Sequence, residues 1–158
     1  MNRKPITRSR SLRQARILVI EDNPDQALIM ENVIQQSFPD VQLIQASSSQ
    51  QAIDFLQSSE SCEWQLPQLI ILDLYLPERE DGWQTLECIR QFKLPVSSIP
   101  VIMLSASSQP DDILEAYQRG SSCYLVKPLK FEQWLESFKA LREYWWDTVN
   151  LPSVRYIF

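Results

Sequence analysis

The chain contains no histidine among its 158 residues and only two glycines, Gly82 and Gly120. The first absence excludes Ser-His-Asp and Cys-His nucleophiles, a histidine general base and any phosphohistidine made on this chain. The second excludes the glycine-rich dinucleotide fingerprint and the Gly-x-x-x-x-Gly-Lys phosphate loop. Cysteine is sparse as well. Cys62, Cys88 and Cys123 are odd in number and far apart, and with no histidine to complete a zinc shell they read as free thiols. There is no run of about 20 apolar residues and no basic-then-apolar N-terminal pattern, so neither a membrane span nor a secretory signal is expected, and the chain reads as cytoplasmic.

Positive charge is scarce outside the N-terminus. Residues 1–16 hold six of the 15 Lys and Arg and no acid, which leaves nine basic residues against 20 Asp and Glu in the remainder. An acidic body repels nucleic acid, so no direct DNA binding is expected. Residues 1–14 read as a basic disordered arm, 15–149 as one domain and 150–158 as a C-terminal tail too short to hold an output module.

Short apolar runs alternate with segments of helical period five times along the chain, which is the pattern of an α/β protein with a parallel sheet. The expected strands run through Ile17–Ile20, Val41–Ala46, Leu69–Leu72, Val101–Leu104 and Ser122–Val126. Asn23 as N-cap and Pro24 at the first helical position open a helix to about Ser37. Further helices are expected from about Ser49 to Gln57, after Gly82, and from Pro110 to the C-cap Gly120. The last spans about Phe131 to Thr148, with apolar residues at three- and four-residue steps, and is longer than one sheet face needs.

Four of these strands end on residues suited to handling a phosphoryl group: Glu21-Asp22 after the first, Asp73 after the third, Ser105 after the fourth and Lys127 after the fifth. In a parallel sheet all of them gather at the carboxyl edge, where open α/β sheets bind ligands. Two carboxylates about 4 Å apart repel by roughly 4 kcal/mol at an effective dielectric near 20. Such a cluster needs a cation, and an all-oxygen donor set suits Mg2+. Asp73, alone at the end of the central apolar strand, is the candidate nucleophile for a phosphoryl group. Lys127 can pair first with that carboxylate and then with the phosphate, while the Ser105 hydroxyl and neighbouring backbone N–H groups can donate to phosphoryl oxygens.

The segments ILVIEDNP, LIILDLYLP followed by DG, VIMLSAS and CYLVKP resemble the receiver domain of two-component response regulators, over about Ala15 to Trp146. The resemblance implies a (βα)5 doubly wound parallel sheet, flavodoxin-like in its order 2-1-3-4-5, with an extended C-terminal helix. It implies Mg2+ held by Asp22, Asp73 and the Tyr75 carbonyl with Glu21 acting through water, and transfer to Asp73 from a histidine kinase that supplies in trans the missing histidine. It also implies a phosphoryl-binding and switch set of Ser105, Ala106, Lys127 and Tyr124, with Tyr75 and Ser107 tuning dephosphorylation. Signalling to a downstream protein would follow. Cys123-Tyr124 together with the long last helix and the aromatic segment at 144–152 is similar to the small response regulators that partner cyanobacterial phytochrome kinases. That narrower likeness implies a homodimer through the fourth helix, fifth strand and fifth helix, with Tyr144, Trp145 and Trp146 at its interface.

Two departures matter. The segment Leu76–Gly82 is about one residue longer than usual and sets Glu78, Glu80 and Asp81 beside the acceptor. If that acidic loop blocked the site, the chain would be a pseudo-receiver, a binding module never phosphorylated. An aspartate-nucleophile phosphatase would need a second Asp two residues after Asp73, where Tyr75 stands.

Overall fold

Alternate residues of each central strand are buried on opposite sides of one sheet, as the two-residue period of a pleated strand requires. In β1 (Arg16–Ile20), Ile17 and Val19 join the layer that holds Met30, Val33 and Phe138, whereas Leu18 and Ile20 join the layer that holds Leu56, Trp83 and Leu86. The structure, a computed structural model, describes residues 15–148; the arm 1–14 and the tail 150–158 read from the sequence lie outside those residues.

The chain continues as α1 (Pro24–Ser37), β2 (Gln42–Ala46), α2 (Ser49–Ser59), β3 (Leu69–Asp73), α3 (Arg79–Gln91), β4 (Val101–Ser105), α4 (Pro110–Gln118), β5 (Cys123–Val126) and α5 (Phe131–Leu141). All strand pairs are parallel, in the expected order 2-1-3-4-5. Every residue of β3 and β4 is buried, the mark of strands covered on both faces. Local chemistry explains the helix starts. The Asn23 side chain accepts from the Asp25 and Gln26 N–H groups ahead of Pro24, and the Ser48 side chain accepts from Gln51 N–H to open α2.

The segment read as an acidic loop to Gly82 is helical from Arg79 onward. Glu80 and Asp81 fall in the first turn of α3, where the helix dipole favours negative charge. Asp81 Oδ2 also accepts from the Glu78 N–H at 3.0 Å. Gly82 is required by proximity: a Cβ there would lie 1.9 Å from the carbonyl oxygen of Leu74, the residue after Asp73. The first turn of α3 is thereby seated directly on the backbone leaving β3.

The long C-terminal helix also differs from the expectation. It is α-helical only to Leu141 and then π-helical from Arg142 to Thr148. A regular helix would carry the apolar stripe from Leu141 to Trp145, four residues on. The i to i+5 period of the π-helix places Trp146 inward instead. Trp146 is buried and meets Phe38 edge-on at 5.7 Å, while Tyr144 is 55% exposed. Arg142 holds this end down by binding Asp40 at 2.6 Å and lying over the Phe38 ring. Replacing Trp146 with Ala should cost about 3 kcal/mol, and Tyr144→Ala less than about 1 kcal/mol; urea unfolding of the two variants measures the difference.

Candidate functional site

The register of the sheet brings the sequence-identified residues to one edge. Ile20 pairs with Leu72, Asp73 with Leu104, and Ser105 with Val126, so the residues that follow β1 and β5 and those that end β3 and β4 emerge side by side. Backbone bonds extend the ladder past the strand ends: Glu21 N–H to Ala46 O, Leu74 N–H to Leu104 O, and Lys127 N–H to Ser105 O at 2.7 Å. The edge is therefore fixed by main chain before any side chain is placed.

One carboxylate oxygen each from Glu21, Asp22 and Asp73 lies within 4.8 Å of the others. Glu21 and Asp73 are 3% and 4% exposed. Lys127 Nζ sits against both, 3.0 Å from Glu21 Oε2 and 3.2 Å from Asp73 Oδ2, and also donates to Gln26 Oε1. Among the described residues no ion pair reaches Asp22. One ammonium thus answers for three acids, and the Glu21 carboxyl shows the deficit. Burial first, and then the neighbouring Asp73 charge, raise its pKa from 4.5 to about 7, against the opposing pull of Lys127. Crowded carboxylates with only oxygen donors and too little positive charge fit a divalent cation.

The rest of the site is ordered by hydrogen bonds. Asp73 Oδ1 accepts from the Tyr75 N–H at 3.3 Å, and Glu21 Oε1 from the Asn23 N–H at 3.1 Å. Ser105 is fully buried, and its Oγ accepts from the Ser107 N–H at 3.1 Å. Tyr124 donates its phenol proton to the Ser107 carbonyl at 2.8 Å, turning the ring toward the β4–α4 loop; burial pushes the phenol pKa up, so it remains a donor. Tyr75 is 40% exposed. Ala106 sits at the surface between Ser105 and Ser107.

Sequence reasoning missed two side chains here. Gln26 contacts Lys127, and its only signal was its place three residues after the N-cap, on the turn of α1 nearest the acids. Asp112 is 4% exposed and takes the Ser107 hydroxyl and the Arg79 guanidinium, each at 2.5 Å. In sequence it looked like an ordinary acid in the first turn of a helix. The aromatic set Tyr144, Trp145 and Trp146 divides: Trp146 faces its own core, whereas Tyr144 and Trp145 line a groove of about 500 Å³ beside Cys123 and Leu125 of β5. The three cysteines are unpaired thiols.

A doubly wound sheet that presents a buried carboxylate, a lysine and an acid pair at its carboxyl edge defines a class of proteins that receive phosphoryl groups. The family model for the response regulator receiver domain matches residues 17–139, and the chain belongs to that family, whose general role is to be phosphorylated by a histidine kinase. Response regulator Rcp1 of Synechocystis sp. is 32% identical over 138 residues, covering 87% of this chain and 92% of Rcp1. The Mn2+-bound crystal structure of Rcp1 superposes with a TM-score of 0.73 at 31% identity, over 88% of this chain and 99% of that one. The phosphorylated cyanobacterial phytochrome response regulator RcpA gives 0.77 at 29% identity, with 89% and 99% covered. RPA3017, a response regulator in red light signalling of R. palustris, gives 0.78 at 29% identity, with 88% and 99% covered. No helix among the described residues is long and apolar enough to cross a membrane.

The Glu21 carboxyl sets a pH dependence for the metal-free protein. Between about 4.5 and about 7 the folded chain keeps a proton that the unfolded chain has released. Stability must therefore fall as pH rises through that window. In EDTA, wild-type unfolding free energy should drop between pH 5 and pH 7.5 relative to Glu21→Gln, by up to about 2–3 kcal/mol. Urea titrations of both proteins across that range read the difference directly.

Proposed function

We propose that this chain takes a phosphoryl group onto Asp73 from a partner histidine kinase, with Mg2+ held by Asp22, Asp73 and the Tyr75 carbonyl and with Glu21 acting through water. The observation that carries the reading is Lys127, whose Nζ lies 3.2 Å from Asp73 Oδ2 at the mouth of a carboxylate cluster. A lysine bonded to the acceptor carboxylate is already where a phosphate on that carboxylate would need positive charge.

In the transfer, an Asp73 carboxylate oxygen attacks the phosphorus of a phosphohistidine on the kinase. The new P–O bond forms as the P–N bond breaks, and the electron pair leaves with the kinase imidazole, which takes up a proton. Asp73 becomes a mixed anhydride. When bound, Mg2+ offsets the charge of the donor phosphate and the accepting carboxylate. Lys127 follows the charge from carboxylate to phosphate, and the Ser105 hydroxyl and the Ala106 N–H donate to phosphoryl oxygens. Tyr124 and Ser107 relay the change to the β4–α4 loop and so to a protein partner. The chain thus acts as a phosphoacceptor in signalling rather than as an enzyme acting on a separate substrate.

Likeness to RcpA supports a phytochrome-type kinase as the donor. The groove beside β5, with Tyr144 and Trp145 on its rim, supports a homodimer through α4, β5 and α5 in which Trp146 contributes only by shaping its own domain. Against the pseudo-receiver reading stands the start of α3 at Arg79, which draws Glu80 and Asp81 into a helix turn instead of a loop over Asp73. Against the phosphatase reading stands Tyr75 in place of a second acid.

Incubation with Mg2+ and acetyl phosphate tests the proposal. Intact-mass spectrometry should find one phosphoryl adduct on the wild type and none on Asp73→Asn or in EDTA. An unmodified wild type sinks the reading, and an adduct that survives in Asp73→Asn moves the acceptor elsewhere.

A further inference from the structure

A chain of polar contacts leaves the phosphoacceptor edge and ends on α3, and nothing in the transfer itself calls for it. Ser105 Oγ accepts from the Ser107 N–H at 3.1 Å; the Ser107 Oγ donates to Asp112 Oδ2 at 2.5 Å; Asp112 Oδ1 takes the Arg79 guanidinium, also at 2.5 Å. Asp112 is 4% exposed, and its carboxylate is divided between a hydroxyl on one oxygen and a cation on the other. Arg79 is the residue that opens α3, five residues after the backbone turn on which Gly82 is seated.

The anchor of this chain is itself fixed. Arg79 also binds Glu115 at 3.1 Å, and Glu115 binds Arg119 at 2.6 Å, which in turn binds Glu87 of α3 at 2.5 Å. The guanidinium carbons of Arg79 and Arg119 lie 5.8 Å and 5.4 Å from the centre of the Trp83 ring, so the indole is flanked by two cations. Trp83 is 2% exposed. The network ties α3 to α4 across that ring, and Asp112 is its branch toward the phosphoacceptor edge.

We propose that Arg79 and Asp112 form a latch that positions Ser107, and through its N–H the Ser105 hydroxyl, for the phosphoryl group on Asp73. With one Ser105 lone pair taken by the Ser107 N–H and the hydroxyl also hydrogen-bonded with the Tyr124 phenol, the Ser105 Oγ is held in a fixed place from which it can turn its proton to an incoming acceptor. The same loop offers its Ser107 carbonyl to Tyr124. Arg79 thus acts as a positioning residue, through Asp112 and Ser107, without touching the reacting atoms. The segment just after Asp73, whose acids looked like an obstacle in sequence, supplies through Arg79 the cation that steadies the opposite loop. This inference rests on Asp73 being the acceptor.

The test measures the rate of adduct formation from acetyl phosphate with Mg2+, and the lifetime of the adduct after donor removal, in the wild type, Arg79→Met, Arg79→Lys, Ser107→Ala and the double variant Arg79→Met/Ser107→Ala. The Arg79 side chain is 43% exposed, so these changes leave the core intact. Arg79→Met should slow formation or shorten the lifetime by about threefold or more, Arg79→Lys should recover most of the loss, and in the Ser107→Ala background Arg79→Met should have no further effect. Independent, multiplicative effects of the two substitutions, or an Arg79→Met variant that behaves as wild type, would overturn the latch. Absence of any adduct on the wild type overturns the acceptor reading and the latch with it, whereas a normal wild-type adduct with unresponsive Arg79 variants leaves the acceptor reading standing alone.

Discussion

Three carboxylates at one sheet edge, two of them almost fully buried, are an electrostatic liability that a single ammonium partly offsets. Lys127 reaches Glu21 and Asp73 from the end of β5, and that cross-sheet contact is the constraint around which the edge is organised. A buried acid pair without a cation would either take up protons or splay apart. The raised Glu21 carboxyl marks how incompletely one lysine meets the demand. The same deficit that weakens the metal-free fold is what fits the edge to the divalent cation and the phosphoryl group proposed for it. Stability and function draw on one charge imbalance.

Main-chain geometry makes that imbalance reproducible. Parallel pairing sets Asp73 level with Leu104 and Ser105 level with Val126, so the Asp73 carboxylate, the Ser105 hydroxyl and Lys127 cannot slip relative to one another without moving a whole strand to the wrong face. The close approach of Gly82 to the Leu74 carbonyl locks α3 to the same edge. Charged side chains from the start of α3 and the end of α4 then close around Trp83, and Arg79 links the segment after Asp73 through Asp112 to the β4–α4 loop that carries Ser107.

Much of this was legible in the chain. Apolar runs of three or four residues ending on acid, acid, hydroxyl and lysine define strands and edge together, because a buried parallel strand must be apolar until it reaches the solvent-facing end. What sequence could not give was the identity of partners fixed by side-chain reach. Gln26 and Asp112 are ordinary helix first-turn residues until the fold sets Lys127 and Arg79 against them. The acids of 78–81 read as a loop because no strong N-cap precedes them, yet Glu80 and Asp81 are absorbed by the helix start. At the end of the last helix a 3.6-residue period would carry the apolar stripe from Leu141 to Trp145. The π-helical turn shifted that role to Trp146, since the extra residue per turn leaves no trace in the apolar pattern.

The central claim is that a buried acid cluster depends on positive charge from Lys127 and can accept it instead from a divalent ion. Urea unfolding of Lys127→Met at pH 8, with EDTA and then with excess Mg2+, tests that directly. The account predicts a loss of about 2 kcal/mol or more in EDTA, as when one partner of a buried ion pair is removed, and a larger gain on adding Mg2+ than the wild type shows. A variant as stable as the wild type in EDTA, or one whose loss Mg2+ does not recover, would contradict it.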